Sequence, residues 1–394
     1  MSLKFLKKMS KSTTTSPTVQ TPTNQTTASP TPASPTPSDS SGVSAGPSST
    51  VRVSLAAGET PVSGVDLILL DLDGVVYKGE AAIAGAVDAL NASELRIGYI
   101  TNNASRSAAT VADHLRRLGL EAAESDVVTS SQAAARLLAD LVEPGGEVLV
   151  VGGEGLIVEV ERAGFIAVFT GTPETAAVVQ GFAPTVGWES LAQAAFALQG
   201  EYSERPWVAT NNDWTIPVAG GIAPGNGTLV SAVHTAVGRL PIVAGKPEVP
   251  IFEAALERFG VADALFIGDR LDTDILGANR AGLRSALVLT GIDGPKQLLA
   301  ASAPMRPELI LTDLSELTLP YPATEFEADG VVRVRDSAVR MNGHRAELVA
   351  PGAHVDLVRA SCAAVWASGL AIYGIDVDGL LMDALGIARD DSRR

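Results

Sequence analysis

Two aspartates, Asp71 and Asp73, follow the apolar run LILL with one leucine between them. Side chains alternate in direction along a strand, so both carboxylates can point the same way. Their mutual repulsion must then be offset by a cation or by a shared chemical task. Carboxylates act as nucleophiles and as proton carriers, so one could attack an electrophile while the other transfers the proton. Gly74 would let the chain turn sharply just after the pair.

Polar residues also follow three other apolar segments that are typical of strands. LRIGYI leads into Thr101, Asn102 and Asn103, LPIVA leads into Gly245 and Lys246, and ALFI leads into Gly268 and Asp269, with Asp274 five residues later. Ligands of open α/β sheets bind beyond the carboxyl ends of the strands. We therefore expect all four strand ends to meet at one crevice.

These side chains together suit phosphoryl transfer. Asp71 would attack phosphorus to form an aspartyl-phosphate, while Asp73 would protonate the leaving alkoxide and later take a proton from water. Mg²⁺ would offset the repulsion between the phosphate and the acids, with Asp269 and Asp274 supplying further carboxylates. The predicted phosphate-binding residues are Thr101, Asn102 and Asn103, close to a helix expected to begin around Ser105, and Lys246, with Pro247 expected to start the following helix.

The spacing of these segments predicts the division of the chain. About 28 residues separate Asp73 from Thr101, enough for one crossover helix. Roughly 140 residues separate Asn103 from Lys246, and their strand-like and helical segments predict an inserted α/β domain. Alternation of short strands and helices predicts an α/β fold with a parallel, Rossmann-like sheet. The predicted divisions are a disordered Ser/Thr/Pro-rich arm at 1–60, a core at 61–130 and 241–322, the inserted domain at 131–240, and a small C-terminal α+β unit at 323–394.

The composition argues against several classes of protein. The chain has 29 basic and 45 acidic residues, giving a net charge of −16, which disfavours nucleic acid or an anionic membrane surface as main partner. One cysteine and four scattered histidines show no zinc-ligand spacing. No signal peptide or membrane-spanning run is evident. We expect a cytoplasmic protein that binds a small phosphorylated metabolite, and a homodimer is compatible with the sequence.

Four segments carry a family resemblance. DLDGVVYKG, ITNNASRS, AGKPEVPIF and GDRLDTDI resemble motifs I to IV of the haloacid dehalogenase (HAD) superfamily of phosphatases. The insertion after the second motif resembles the C2 cap of the subgroup that contains NagD, 4-nitrophenyl phosphatases and pyridoxal phosphate phosphatase. Within it, VVGGEGL and ATNNDWTIPVAGGIAPGNGTLVSAV are similar to segments of actinobacterial glycerol 3-phosphate phosphatases, which also carry an extra C-terminal domain.

The resemblance implies roles for the matching residues. Asp71 would be the nucleophile and a Mg²⁺ ligand, and Asp73 would be the acid/base and offer its backbone carbonyl to the metal. Asp269 would complete the protein's share of the metal ligands, and Asp274 would support Lys246 or a water on the metal. Cap loops of the family close over the substrate. The substrate-side candidates are therefore Asn211, Asn212, Asp213, Gly220 and Gly221.

The reaction implied is Mg²⁺-dependent hydrolysis of a small phosphate ester, with glycerol 3-phosphate favoured. Pyridoxal 5'-phosphate, 4-nitrophenyl phosphate and other sugar or aryl phosphates are alternatives. A pyridine ring would want an aromatic or histidine partner, and the cap segment GFAPTVGW offers Trp188 but no histidine. From another class, the chain could be a non-catalytic regulator that binds a metabolite through its C-terminal unit. The paired Asp71 and Asp73 argue against that reading, because a binding protein does not need them.

Other chemistries fit the sequence less well. The segment VLVVGGEGL lacks the G-x-G-x-x-G pattern of a dinucleotide site. A haloalkanoate dehalogenase or a phosphomutase of the same superfamily would carry its cap between the first two motifs, where this chain has no room for one. The sequence therefore predicts a phosphatase rather than these relatives.

Overall fold

The structure is a computed structural model, and it describes residues 55–56, 58–218 and 220–388. The predicted disordered arm at 1–60 lies almost wholly outside these residues. Among the helices in the described ranges, none has both the length and the apolar character needed to cross a bilayer.

The first sheet has six parallel strands, and it positions the acidic residues. Its order is β15-β14-β13-β1-β4-β5. The strands are β1 (Leu67–Leu70), β4 (Arg96–Thr101), β5 (Val127–Thr129), β13 (Ala264–Gly268), β14 (Arg284–Val288) and β15 (Leu309–Leu311). Every residue of β1 and β13 is buried, as expected for central parallel strands covered on both faces. Because β1 lies between β13 and β4, three of the predicted strand ends are neighbours at one edge.

Helices cover both faces of this sheet, and alternate residues of β1 contact the two layers. Ile68 and Leu70 share a core with α1 and α2, whereas Leu67 and Leu69 share a core with α3 and α7. The helices are α1 (Ala86–Asn91), α2 (Ala108–Arg117), α3 (Ser130–Ala139), α7 (Pro250–Phe259), α8 (Leu276–Arg280) and α9 (Pro295–Ala300). A short hairpin of β2 (Tyr77–Lys78) and β3 (Ala81–Ala82) follows β1.

A second parallel sheet, of order β12-β9-β8-β6-β7, is built from the insertion. Its strands are β6 (Glu147–Val151), β7 (Ile166–Val168), β8 (Thr175–Gln180), β9 (Trp207–Ala209) and β12 (Ile242–Val243). An antiparallel hairpin pairs β10 (Thr215–Val218) with β11 (Gly221–Pro224). The helices of this part are α4 (Glu154–Arg162), α5 (Trp188–Ala197) and α6 (Asn226–Val237). The predicted α/β class, with its parallel sheet and inserted second α/β unit, is confirmed.

The strand before Lys246 was predicted for the first sheet, and that prediction is wrong. Ile242 and Val243 pair with Val208 and Ala209 at the edge of the second sheet. Ile242 is 48% exposed, which does not suit a central strand of a parallel sheet. Lys246 therefore approaches the crevice on the segment that returns from the insertion.

Two helices begin later than predicted. The helix expected around Ser105 begins at Ala108, because the Ser107 hydroxyl caps it by accepting a hydrogen bond from the Thr110 amide. Pro247 does not start α7, which begins at Pro250 with that proline in its first turn. The residues between β4 and α2 and those before α7 therefore form loops at the site.

The C-terminal part forms a mostly antiparallel sheet and two helices, and the longer helix packs on the edge of the first sheet. Its strands are β16 (Thr324–Phe326), β17 (Val331–Val334), β18 (Ser337–Asn342) and β19 (Arg345–Ala350), with β20 (Asp376–Val377) parallel to β19, and its helices are α10 (His354–Ala367) and α11 (Gly379–Ala384). Arg359 of α10 donates two hydrogen bonds to the Ile310 carbonyl of the edge strand β15. Leu271 and Ile275, beside the acidic residues, belong to the same hydrophobic cluster as α10. The domain boundaries predicted above stay a proposal, which limited proteolysis can test.

Candidate active site

Three carboxylates meet beyond the carboxyl ends of the first sheet. Asp71 follows β1, Asp269 follows β13, and Asp274 lies on the π-helical turn Leu271–Ile275. One oxygen from each lies within 4.8 Å of the others. The structure thus brings together Asp71, Asp269 and Asp274, three of the four aspartates predicted to serve the metal, while Asp73 is not part of this cluster.

Lys246 joins two of these carboxylates. Its Nζ donates to Asp71 Oδ1 at 2.5 Å and to Asp274 Oδ1 at 2.7 Å. The lysine side chain is 3% exposed, that of Asp274 1% and that of Asp71 15%. Buried charges need partners, and this lysine partly neutralises the acidic cluster. Of the two carboxylates, that of Asp71 is the more exposed, so it is the one that a substrate can reach.

Burial dominates the protonation behaviour of the cluster. It raises the pKa of Asp71 to about 7 against the opposing charge of Lys246. Burial also raises the pKa of Asp269 to about 8, and the charge of Asp274 adds to that effect. Burial alone would lower the pKa of Lys246, but Asp274 and Asp71 hold it above its ordinary value. Without a further cation, the acids resist full ionisation near neutral pH.

Asp73 lies at the open side of the crevice. Its residue is exposed, whereas Leu72 before it and Gly74 after it are buried. Loss of solvent to nearby protein atoms raises the pKa of its carboxyl, and a hydrogen bond from the Gly79 amide and the charge of Arg106 oppose that rise. A raised pKa favours the protonated carboxyl, which can donate its proton to a leaving oxygen.

Gly74 turns the chain away immediately after Asp73. Its φ of 85° lies in the left-handed region that favours glycine. A Cβ at this position would lie 2.4 Å from Asp269 Oδ2. Both the backbone conformation and the lack of space therefore require a glycine at position 74, where the chain after β1 passes Asp269.

The predicted phosphate-binding residues differ in what their side chains already bond. Thr101 Oγ1 accepts from the Asn103 amide at 3.1 Å, which leaves its own proton available to a ligand. Asn103 Oδ1 accepts from the Ser105 amide at 2.9 Å and from its hydroxyl at 2.8 Å. The Asn103 and Ser105 amides already donate within this loop, so the Thr101 hydroxyl is the donor that stays open to an anion.

Asn102 is bonded to the backbone of Lys246. Its Oδ1 accepts from the Lys246 amide at 2.8 Å, and its Nδ2 donates to the Lys246 carbonyl at 3.0 Å. A Cβ on Gly245 would lie 2.6 Å from that same Oδ1, so the loop must pass close to the carboxamide. Asn102 was predicted to bind phosphate, but these contacts instead favour a role in orienting Lys246.

Among the cap candidates, the structure brings Asn211 and Asp213 to the core. Asn211 Nδ2 donates to the Asn102 carbonyl at 2.7 Å. Asn102 Nδ2 donates to the Asp213 oxygens at 3.2 and 3.3 Å. Burial raises the pKa of Asp213, while the Asn102 hydrogen bond and Lys246 lower it. A cap carboxylate therefore faces the crevice beside Lys246.

The remaining cap candidates lie further out in the loop and the hairpin. Asn212 is exposed, and its carbonyl lies 2.4 Å from where a Cβ on Gly227 would be. Gly220 and Gly221 lie at the exposed turn of the β10–β11 hairpin, where an added Cβ would meet no atom within 4 Å. Their assignment to the substrate stays a prediction.

The oxygen donors fit Mg²⁺. Carboxylate and carbonyl oxygens are the ligands that this hard cation takes, and the cluster supplies several within a small space. Asp269 Oδ2 accepts from the Ile292 amide at 2.8 Å, and Asp269 would offer its other oxygen to a cation. Asp274 Oδ2 accepts from the amides of Asp269 and Arg270, both at 3.1 Å. With Oδ1 on Lys246 as well, the bonding of Asp274 favours a supporting role over direct coordination.

The sequence reasoning missed the residues that follow β14. Ile292 reaches Asp269 through its amide, and the neighbouring Thr290 and Gly291 lie against the same strand ends. The signal was present, because the apolar strand SALV is followed by a polar and glycine-rich stretch. Applying the strand-end rule to every strand of the sheet would have found them.

Two family models match the chain, one on each side of most of the insertion. One, described as haloacid dehalogenase-like hydrolase, matches residues 68–166. The other, HAD-hydrolase-like, matches residues 243–317. The matches include all four strand ends that form the crevice.

Individual proteins agree with the family models. The D-glycerol 3-phosphate phosphatase of Mycobacterium tuberculosis is 42% identical over 309 residues, which cover 76% of this chain and 86% of the relative. The chicken glycerol-3-phosphate phosphatase is 38% identical over 263 residues, covering 60% of this chain and 84% of the relative.

Solved structures show the same likeness. The crystal structure of a glycerol phosphate phosphatase from Mycobacterium tuberculosis in complex with magnesium has a TM-score of 0.74 and 39% identity, covering 83% of this chain and 98% of that one. A 4-nitrophenylphosphatase from Thermotoga maritima has a TM-score of 0.60 and 28% identity, covering 66% of this chain and 98% of that one. The chain therefore belongs to the haloacid dehalogenase-like hydrolase family.

Proposed function

We propose that this chain is a Mg²⁺-dependent phosphatase that hydrolyses glycerol 3-phosphate to glycerol and phosphate. The observation that carries the proposal is the partly exposed Asp71 carboxylate, held by Lys246 beside Asp269 and Asp274 at the carboxyl edge of the sheet. The named activity of the similar proteins supports the choice of substrate.

In the first half-reaction, a carboxylate oxygen of Asp71 attacks phosphorus. The bond between phosphorus and the glycerol oxygen breaks, and that oxygen takes the proton of the Asp73 carboxyl. Glycerol leaves, and the phosphoryl group stays on Asp71 as a mixed anhydride. The raised pKa of Asp73 suits it to carry the proton needed here.

In the second half-reaction, the Asp73 carboxylate takes a proton from a water molecule. The water oxygen attacks phosphorus, and the bond between phosphorus and Asp71 breaks. Inorganic phosphate leaves, Asp71 returns as a carboxylate, and Asp73 again carries a proton. Each residue ends the cycle as it began, so no other reactant is needed.

The surrounding residues bind the phosphoryl group and neutralise charge. The Thr101 hydroxyl, the loop at Asn103 and the Lys246 ammonium surround the place where the phosphoryl oxygens would lie. Asp71, Asp269 and the Asp73 carbonyl would hold Mg²⁺, with Asp274 supporting Lys246. When bound, Mg²⁺ supplies positive charge that offsets the repulsion between substrate and carboxylates.

The cap gives the proposal its substrate preference. Asp213 is a hydrogen-bond acceptor that faces the crevice, and glycerol offers hydroxyl groups that can donate to it. Trp188, the aromatic residue considered as a partner for a pyridine ring, is 81% exposed at the start of α5. Polar residues at the crevice favour a small polyol phosphate over an aromatic one.

The test is a panel of esters measured with purified protein and Mg²⁺. We expect kcat/KM to be highest for glycerol 3-phosphate, assayed as both enantiomers, and lower for pyridoxal 5'-phosphate, 2-phosphoglycolate and 4-nitrophenyl phosphate. A higher value for another physiological ester would make the substrate assignment wrong. Absence of turnover on every ester would favour the non-catalytic regulator.

Two expectations belong to the same proposal. We propose that the enzyme works in the cytoplasm on a phosphorylated metabolite, which cell fractionation would test. We also propose a homodimer, and size-exclusion chromatography with light scattering would measure its mass. A monomeric mass at micromolar concentration would refute the dimer and leave the chemistry unaffected.

A further inference from the structure

The segment Thr290–Asp293 leaves the carboxyl end of β14, next to β13 in the sheet. It carries none of the nucleophile, acid or phosphate-binding roles assigned above. Four successive residues nevertheless contact the two acidic strand ends, each through a different group. Their contacts suggest a shared purpose in positioning these ends.

Thr290 fixes the turn that follows Asp73. Its hydroxyl donates to the Gly74 carbonyl at 2.6 Å. Gly74 has the left-handed φ described above, and a hydrogen bond to its carbonyl restrains the turn. The direction of the Asp73 side chain and backbone carbonyl depends on that turn. A loose turn would misplace the proton donor relative to phosphorus.

Gly291 allows the closest approach to Asp269. A Cβ there would lie 1.9 Å from Asp269 Oδ2, and its φ is not in the left-handed region that excludes other residues. The need for glycine is therefore one of space. The Ile292 amide can then donate to Asp269 Oδ2 at 2.8 Å. That bond restrains the orientation of the carboxylate.

Asp293 completes the contact on the far side of Asp269. Its amide donates to the Asp269 carbonyl at 3.1 Å, and its Oδ2 accepts from the Leu271 amide at 2.7 Å. The backbone that follows the Asp269 side chain is thereby held at two points. Such restraint limits the positions that a ligand carboxylate can adopt.

We propose that Thr290–Asp293 is a positioning segment of the site. Thr290 orients Asp73, and Gly291 and Ile292 together orient Asp269 for the cation. The part of the proposal that concerns Thr290 and Asp73, its catalytic half, rests on the proposed phosphatase function. The part that concerns Gly291, Ile292 and Asp269, its metal-binding half, depends only on how the Asp269 carboxylate is oriented, and it can be tested without turnover. Residues that orient metal ligands typically change metal affinity by 10- to 100-fold when altered.

Mg²⁺ binding to substrate-free protein tests the metal-binding half, measured by calorimetry on Gly291→Ala and Gly294→Ala. The two glycines lie three residues apart, and a Cβ on Gly294 would meet nothing within 4 Å. We expect Gly291→Ala to raise the dissociation constant about tenfold or more, and Gly294→Ala to leave it within about twofold. Equal dissociation constants in folded Gly291→Ala and wild type would overturn this half. This result does not depend on which ester is hydrolysed.

Turnover by Thr290 variants tests the catalytic half. Thr290→Val removes the hydroxyl at nearly constant volume, Thr290→Ser retains it, and Thr235→Val is the matched control. Thr235 Oγ1 also donates to a backbone carbonyl, at 2.8 Å, on α6. We expect Thr290→Val to lower kcat about tenfold with little change in KM, and Thr290→Ser to restore most of it.

Thermal unfolding in EDTA separates positioning from general stability. A purely structural role would lower the unfolding temperature and leave kcat of the folded protein unchanged, which would overturn the catalytic half. Equal loss of kcat in Thr290→Val and Thr290→Ser would overturn it too. If Gly291→Ala fails to fold, the comparison of Thr290→Val with Thr290→Ser still tests the catalytic half.

Discussion

Replacing Lys246 by methionine tests the electrostatic balance of the site. The change keeps most of the apolar stem and removes the ammonium that bonds Asp71 Oδ1 at 2.5 Å and Asp274 Oδ1 at 2.7 Å. All three groups are mostly buried, so the carboxylates would face each other without the charge between them. One of them must then take up a proton, or both must bear the repulsion.

The size of the effect follows from the burial. Breaking a buried ion pair by removing one partner costs about 3–5 kcal/mol, so we expect the unfolding temperature of the metal-free protein to fall by roughly 5–10 °C. Loss of one preorganised charge at a transition state lowers kcat by about 10²–10³-fold. Both effects arise from the same ammonium group.

The assay compares Lys246→Met with Lys296→Met, which removes an exposed lysine on α9. Differential scanning calorimetry in EDTA gives the unfolding temperature, and phosphate release from glycerol 3-phosphate with Mg²⁺ gives kcat. The control should match wild type in both measurements. If Lys246→Met kept kcat within about threefold of wild type, the assigned charge balance would be refuted.

Three other predictions concern the glycine turn, pH and the C-terminal part. Gly74→Ala should abolish Mg²⁺ binding in calorimetry, whereas Gly85→Ala, also at positive φ but with no atom within 4 Å of the new Cβ, should not; similar affinities would contradict the close-packing argument. Because the pKa of Asp71 is about 7 and that of Asp269 about 8, protons compete with Mg²⁺ at low pH, so affinity should fall at least about tenfold from pH 8 to pH 6, and a flat profile would refute this. Arg359→Met removes the arginine that bonds the buried Asp356 at 2.7 Å and leaves that carboxylate only its contact with Arg335, so it should cost about 3 kcal/mol in denaturant unfolding, with a change below about 1 kcal/mol counting against it.

Much of the site could be predicted because strand ends of a parallel sheet share one edge. Asp71, Asp73 and Asp269 follow apolar runs whose identity as central strands is plain from the sequence. Once those runs pair as neighbours, the carboxylates must converge. The type of each residue then limits the chemistry it can perform, and paired acids with a lysine leave few possibilities.

The errors came from features that residue type does not encode. The apolar run before Lys246 would suit either sheet, and only the pairing of Ile242 with Val208 decides between them. The start of α2 depends on which polar side chain caps the helix: Asn103 bonds the Ser105 amide within the loop, whereas Ser107 bonds the Thr110 amide and begins the helix.

The missed segment after β14 acts through groups that a sequence hides. Ile292 contributes a backbone amide, and Gly291 contributes the absence of a side chain. Neither is visible until the neighbouring strand end is in place. Such contacts can be sought only after the strand order is known.

The central claim is that Asp71 attacks phosphorus. The direct measurement is Mg²⁺-dependent phosphate release from glycerol 3-phosphate by wild type and Asp71→Asn, with thermal unfolding to show that both are folded. Asparagine keeps the shape of the side chain but lacks the nucleophilic carboxylate. We predict that Asp71→Asn releases no phosphate above the uncatalysed rate while its fold is retained. Turnover by Asp71→Asn at the wild-type rate would contradict the mechanism.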